Sequence, residues 1–375
     1  MKKVFLFAAT VAIALSSCSK NEVSDIATPN EKPNAIGLSV GTFATKSTVT
    51  SESTLQGTGV TLTTTDLTTS TLEFGYTDSW QNETSGKTWD DVKLPMSVYS
   101  AHDGANVKVT AGETGSIASY SVADDVSAQT DLVYLGQTIS SRPSGGSIVA
   151  TYKHALSRIK MSNSTNAGLW TCSIDGVRLV NVNKTGKATI TPGTNSIEWK
   201  EQSTPNSYDY TYTDPSTDGN DMFIIPQTTA TATDLTGSYV EALCVVYGAT
   251  DESPKLGFKD IAAYERYFQS GELKVTYTEG GEEYTGALYA KVGFPLNRVT
   301  FAPGTYYNFA LNFVEKTIIA GDGYYDADGK ALTLERNDGG EVVEPDKGEE
   351  TTPDPETPIG IKVSVTNWPN GNVDL

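Results

Sequence analysis

Alternation with a period of two is the feature that most restricts this chain. Leu72, Phe74 and Tyr76 alternate with polar residues; so do Leu273, Val275 and Tyr277, and again Tyr307, Phe309, Leu311 and Phe313. Successive side chains of a strand point to opposite faces, so each run predicts a half-buried β-strand. Thr, Ser, Tyr and Val, which suit pleated surfaces, are punctuated at short intervals by Gly, Asn, Asp and Pro, which suit turns. Helical periodicity is scarce, and the one short helix expected is Asp260 to Gln269, with Ile261, Tyr264 and Phe268 on one face. Short strands without a βαβ rhythm predict an all-β chain of antiparallel sandwiches. The 375 residues suffice for two such domains, with Ser141 to Gly146 as the boundary, giving 35–145 and 146–334.

The chain begins with Met1-Lys2-Lys3 and an apolar run from Val4 to Leu15, a secretory signal too short to span a membrane. It is followed by Leu15-Ser16-Ser17-Cys18, which resembles the lipobox of bacterial lipoproteins. The resemblance implies removal of residues 1–17 and lipid chains on Cys18, anchoring the protein to a membrane without crossing it. Residues 18–34, polar and carrying Pro29 and Pro33, read as a tether.

The other end has its own signature. Ile359, Ile361, Val363 and Val365 alternate with Gly360, Lys362, Ser364 and Thr366, a strand that closes on Trp368, within a terminal segment of residues 359–375. It is separated from the rest by residues 335–358, where nine carboxylates face only Arg336 and Lys347, a net charge of −7 with four prolines. Such a run buries too little apolar surface to offset its ordering entropy and reads as a disordered leash. Near the start, Ile36-Gly37-Leu38-Ser39-Val40 repeats the spacing of Ile359-Gly360-Ile361-Lys362-Val363. Two readings follow: the strands compete for one groove, or they are two edge strands of one sandwich.

The formal charge of −19 argues against nucleic acid as a partner. Cys172 and Cys244 sit in apolar runs, where a bridge and two small buried hydrophobes are equally compatible with the pattern. The two histidines, His102 and His154, have no nucleophile or metal partner nearby in sequence, and no phosphate loop, Cys/His cluster or paired-carboxylate motif stands out. No enzyme, cofactor or metal is expected. Asp322 to Gly329 spaces carboxylates as a calcium loop does, but lacks the closing glutamate, and turn residues explain it more simply.

Several landmarks occur in a telling order. They are Trp89 with Lys93 to Tyr99, then Asp131-Leu132-Val133-Tyr134, Tyr152 to Ile159, Met222 to Gln227, and Phe301-Ala302-Pro303-Gly304-Thr305-Tyr306-Tyr307. With the lipobox and the Ile-x-Val-x-Val-x-x-Trp ending, nearly the whole chain resembles the fimbrillin family.

That resemblance implies a subunit of type V fimbriae built from two transthyretin-like β-sandwich domains, with a detachable N-terminal strand and a C-terminal donor strand. It implies export as a lipoprotein to the outer membrane, followed by a cut after a basic residue by a trypsin-like surface protease. The cut removes lipid and first strand together, and another fimbrillin subunit's C-terminal strand fills the groove. Here the displaced strand would carry Ile36, Leu38 and Val40, and the donor Ile359, Ile361, Val363, Val365 and Trp368. Lys46, before Ser47, is the only basic residue between Pro33 and Lys87 and therefore the expected processing site, where the family more usually has arginine. An ordinary solvated lysine fits the same position. The alternative function is a fimbrial tip, an anchor or a monomeric surface lipoprotein that binds glycan or host protein, with Trp80, Trp89, Trp170 and Trp199 as stacking surfaces.

Overall fold

The computed structural model describes residues 34–40, 52–65, 71–84, 86–164, 174–203, 211–214, 221–231, 235–247, 273–312, 318–319, 323–337 and 361–367. The first strands are β1 (Gly37–Val40), β2 (Val60–Thr64), β3 (Thr71–Tyr76), β4 (Trp80–Asn82), β5 (Met96–His102), β6 (Gly115–Ser121) and β7 (Val133–Ile139). There follow β8 (Ser147–Ala150), β9 (Lys153–His154), β10 (Ser157–Ser164), β11 (Ile174–Val180), β12 (Thr185–Thr191), β13 (Ser196–Ser203), β14 (Met222–Ile224) and β15 (Tyr239–Tyr247). The last are β16 (Leu273–Tyr277), β17 (Leu288–Pro295), β18 (Thr305–Asn312), β19 (Ile318–Ile319), β20 (Tyr324–Tyr325), β21 (Ala331–Arg336) and β22 (Ile361–Asn367). One short helix, α1 (Glu52–Thr58), precedes β2.

The expected all-β architecture is present, and the runs around Leu72, Val275 and Phe309 form β3, β16 and β18. A six-stranded sheet in the order β4-β3-β2-β5-β7-β9 has a two-stranded β1-β8 sheet on one face. Between them lies a buried cluster that includes Leu62, Leu72, Phe74, Met96, Val98, Val133, Leu135, Ile148 and Tyr152, closed at one side by Leu55 of α1. On β5 and β7 the intervening residues Tyr99, Ala101 and Tyr134 belong to a second, larger cluster. Both faces of these two strands are therefore buried.

The second cluster begins under a three-stranded β13-β12-β6 sheet. Gly136 of β7 permits that approach, since a Cβ there would overlap Ile190 of β12. It continues between a four-stranded β14-β10-β18-β22 sheet and a larger sheet in the order β11-β15-β17-β20-β21-β16. Ile159, Phe223, Phe309 and Leu311 from the first of these meet Leu179, Val240, Val292 and Phe294 from the second.

Pairing does not change at residue 145. Strands β8 and β9 pair with β1 and β7, and β6 pairs with β12. Most ladders are antiparallel, as expected, but β1-β8 and β10-β18 are parallel. Parallel neighbours need a long crossover, and residues 41–146 separate β1 from β8, as residues 165–304 separate β10 from β18. The predicted helix at Asp260 to Gln269 lies outside the described residues.

Candidate functional site

The site is built around β1. Ile36 is 1% exposed, Leu38 6% and Val40 9%, all within the first buried cluster, while Gly37 and Ser39 between them face outward. The alternation seen in the sequence thus places the aliphatic set on the core. Burial of the three contributes roughly 5 to 9 kcal/mol gross. Ordering each backbone residue costs about 1 to 2 kcal/mol, so the net hold of so short a strand is small.

Among the described residues its one ladder is the parallel one to β8, with Gly37 opposite Ser147, Leu38 opposite Ile148, Ser39 opposite Val149 and Val40 opposite Ala150. On its other flank runs β4, and the Asn82 amide donates to the Ile36 carbonyl at 3.2 Å. The entry to the strand is clamped more firmly. Asn34 donates from Nδ2 to Asp90 at 2.5 Å, accepts from Arg142 at 2.8 Å, and its carbonyl accepts from the Trp89 amide at 2.9 Å.

Gly146 is the pivot beneath this clamp. Its φ of 73° lies in the left-handed region, which glycine alone adopts without strain, and turns its carbonyl toward two donors. The Gly37 amide reaches it at 3.0 Å and the Trp89 indole Nε1 at 2.7 Å. The Ser-Gly-Gly segment expected to be a boundary is therefore part of the seat for β1. Trp89, 5% exposed, serves the core here, as does Trp199, 9% exposed with its Nε1 donating to the Ala155 carbonyl at 2.9 Å. Trp170 lies outside the described residues.

The C-terminal strand forms as the pattern predicts, over Ile361–Asn367. It is hydrogen-bonded antiparallel to β18 of the same chain, from Thr305 opposite Asn367 to Leu311 opposite Ile361. Ile361, Val363 and Val365 thus share one strand at the edge of the four-stranded sheet, while Ile36, Leu38 and Val40 belong to the first buried cluster; the two strands occupy different places. Cys18, Lys46, Ser47, Ile359 and Trp368 lie outside the described residues, as do Cys172 and Asp322. Cys244 is buried in β15.

Both histidines are buried. His154 Nδ1 lies 2.6 Å from Asp131 Oδ2, both side chains buried. Sequence reasoning missed this partner, which arrives because β7 and β9 are neighbours, with Val133 opposite His154. His102 is fully buried; its Nδ1 accepts from the Gly104 amide at 3.1 Å, so Nε2 carries the proton and donates to Thr58 Oγ1 at 2.7 Å. Burial lowers its pKa from 6.5 to about 4. Asp326 closes a turn, its Oδ1 accepting from the amides of Asp328 and Lys330 at 3.0 and 2.7 Å. Among the described residues no three His, Cys, Asp or Glu side chains are grouped to hold a metal.

No family model matches the chain, and no curated protein matches it. Solved structures do. A fimbrial protein of Bacteroides vulgatus is 17% identical with a TM-score of 0.45, over 78% of this chain and 98% of that one. A candidate cell adhesion protein of Bacteroides eggerthii is 13% identical with a TM-score of 0.36, over 90% and 97%. A fimbrial assembly protein of Parabacteroides distasonis is 12% identical with a TM-score of 0.31, over 79% and 96%. The chain is similar to bacterial fimbrial and adhesion proteins. At identities and TM-scores this low, function rests on the geometry of the chain itself.

Proposed function

We propose that this chain is a structural subunit of a bacterial surface fimbria, supporting adhesion. It is exported as a lipoprotein through Cys18, cut after Lys46, and polymerised when the C-terminal strand of one copy replaces β1 of another. The two-domain division and the transthyretin-like topology belong to the same reading. The observation that carries it is the match between a short, weakly laddered strand seated on a core by Ile36, Leu38 and Val40 and a terminal strand with the same spacing.

The physical basis is strand addition, in which main-chain hydrogen bonds give continuity and alternate side chains fill pockets. Ile359, Ile361, Val363 and Val365 would gain roughly 6 to 12 kcal/mol gross on burial. The resident strand gains a similar amount and is tethered, which raises its effective concentration, so exchange waits for the cut that frees it. The strand must also leave its ladder with β18.

Val363→Asp combined with Val365→Asp is expected to leave the monomer soluble and folded by circular dichroism, and to abolish the polymer ladder on unboiled gels. An undiminished ladder from that double variant would remove β22 as the donor.

A further inference from the structure

We propose that the seat of β1 accepts the C-terminal strand of a second copy in one register only. In it, Gly360 takes the place of Gly37 against Ser147, and Lys362 lies across from Val149. The inference rests on the strand-exchange reading and adds to it what selects the alignment.

The first constraint is steric. A Cβ built on Gly37 would overlap Ser147 Oγ. Turning the serine aside removes that overlap but leaves Ser147 Cβ and Cα at 3.2 and 3.3 Å, tighter than ordinary contact. The position wants glycine for lack of room, and its backbone φ does not require one, since Gly37 is absent from the positive-φ glycines. Of the four outward residues of the terminal strand, Gly360, Lys362, Ser364 and Thr366, only the first has no Cβ.

Hydrogen bonding supplies the second constraint. The Gly37 amide donates to the Gly146 carbonyl at 3.0 Å. Sliding the incoming strand by two residues one way puts Lys362 against Ser147. Sliding it by two the other way puts Pro358 there, and proline has no N–H to donate. A slide by one residue turns the aliphatic set away from the core. Only one alignment survives, with Ile359, Ile361 and Val363 at the places of Ile36, Leu38 and Val40.

A third observation points the same way independently. Val149 is 53% exposed, the one large aliphatic side chain so exposed among the described residues, and its neighbour on β1 is Ser39. Serine is too short to cover it. In the surviving register Lys362 replaces Ser39, and its four-carbon stem can lie along Val149 while the ammonium stays in water. In this register the incoming strand covers Val149, which the resident Ser39 leaves exposed.

The test uses the full-length chain assembled on cells, with cysteines paired between two co-expressed variants and a mild oxidant applied to sheared material, because a direct disulfide needs Cα atoms within about 7 Å and so reads the opposite pair and not its diagonal neighbour. Val149→Cys with Lys362→Cys is expected to cross-link neighbouring subunits, and Val149→Cys with Ser364→Cys is not. Cross-linking through Ser364→Cys, or a normal ladder with neither link, overturns the register while leaving strand exchange intact. Absence of any ladder in the unsubstituted protein overturns strand exchange and the register with it. In a second arm, Gly360→Ala is expected to lower polymer yield about tenfold or more through overpacking, and Ser147→Gly to restore it. Unchanged yield from Gly360→Ala, or no rescue, also overturns the proposal.

Discussion

Single side chains set how β1 and its surroundings respond to solvent. His102 joins β5 to α1, because its Nε2–H donates to Thr58 Oγ1 and that hydroxyl in turn donates to the Thr54 carbonyl at 2.9 Å. Protonation would place a second N–H against the Gly104 amide, and burial adds to the penalty. The folded state therefore holds the imidazole neutral down to about pH 4, whereas the unfolded chain takes up its proton near 6.5. The stability that the neutral His102 contributes is full well above 6.5 and falls as the pH drops toward 4, because at this group only the unfolded state gains a proton there. Between about pH 7.5 and about pH 5 the loss comes to roughly 2 kcal/mol. Urea midpoints at the two pH values measure it, and His102→Gln is expected to flatten the difference. An equal slope in that variant would assign the effect to other groups.

Elements are held by side chains whose partners no local pattern reveals. Arg158 of β10 donates from Nε to Asp221 at 2.5 Å, and its guanidinium lies 5.3 Å from the centre of the Tyr306 ring. It thereby ties the centre of the β14-β10-β18 arrangement, where it stands opposite both Phe223 and Tyr306. Both members of the ion pair are nearly buried. Asp221→Ala is expected to cost about 3 to 5 kcal/mol in denaturant unfolding, because an uncompensated buried charge remains, while apolar replacement of both partners costs far less. Equal losses from the single and double variants would contradict this. The alternating runs were legible as strands because burial of one face imposes their period. Their partners were not, since alternation does not encode direction, and hence β1-β8 and β10-β18 came out parallel. Helix α1 left no signal in advance: it has seven residues and one buried aliphatic, Leu55, too few for periodicity to register. The terminal strand was legible as a strand, but its docking on β18 was not, because alternation specifies a face and leaves the partner open.

At the scale of the whole molecule, the two buried clusters share β5 and β7, so the seat of β1 lies on one face of a sheet whose other face belongs to the second cluster. Removing β1 would uncover the first cluster at the β8 and β4 flanks without touching the second. The candidate seat was only half visible beforehand: Ile36, Leu38 and Val40 announced themselves by spacing, but Ser147, Gly146, Asn82 and Trp89 come from distant segments. In the proposed scheme the seat is vacated by a cut after Lys46. The most direct measurement is the N-terminus of the protein sheared from intact cells, read by mass spectrometry. A chain beginning at Ser47 is the predicted result and means that lipid and first strand have been removed together. A chain beginning at a lipidated Cys18, with no shorter form present, would contradict strand exchange and leave an anchored surface lipoprotein in its place.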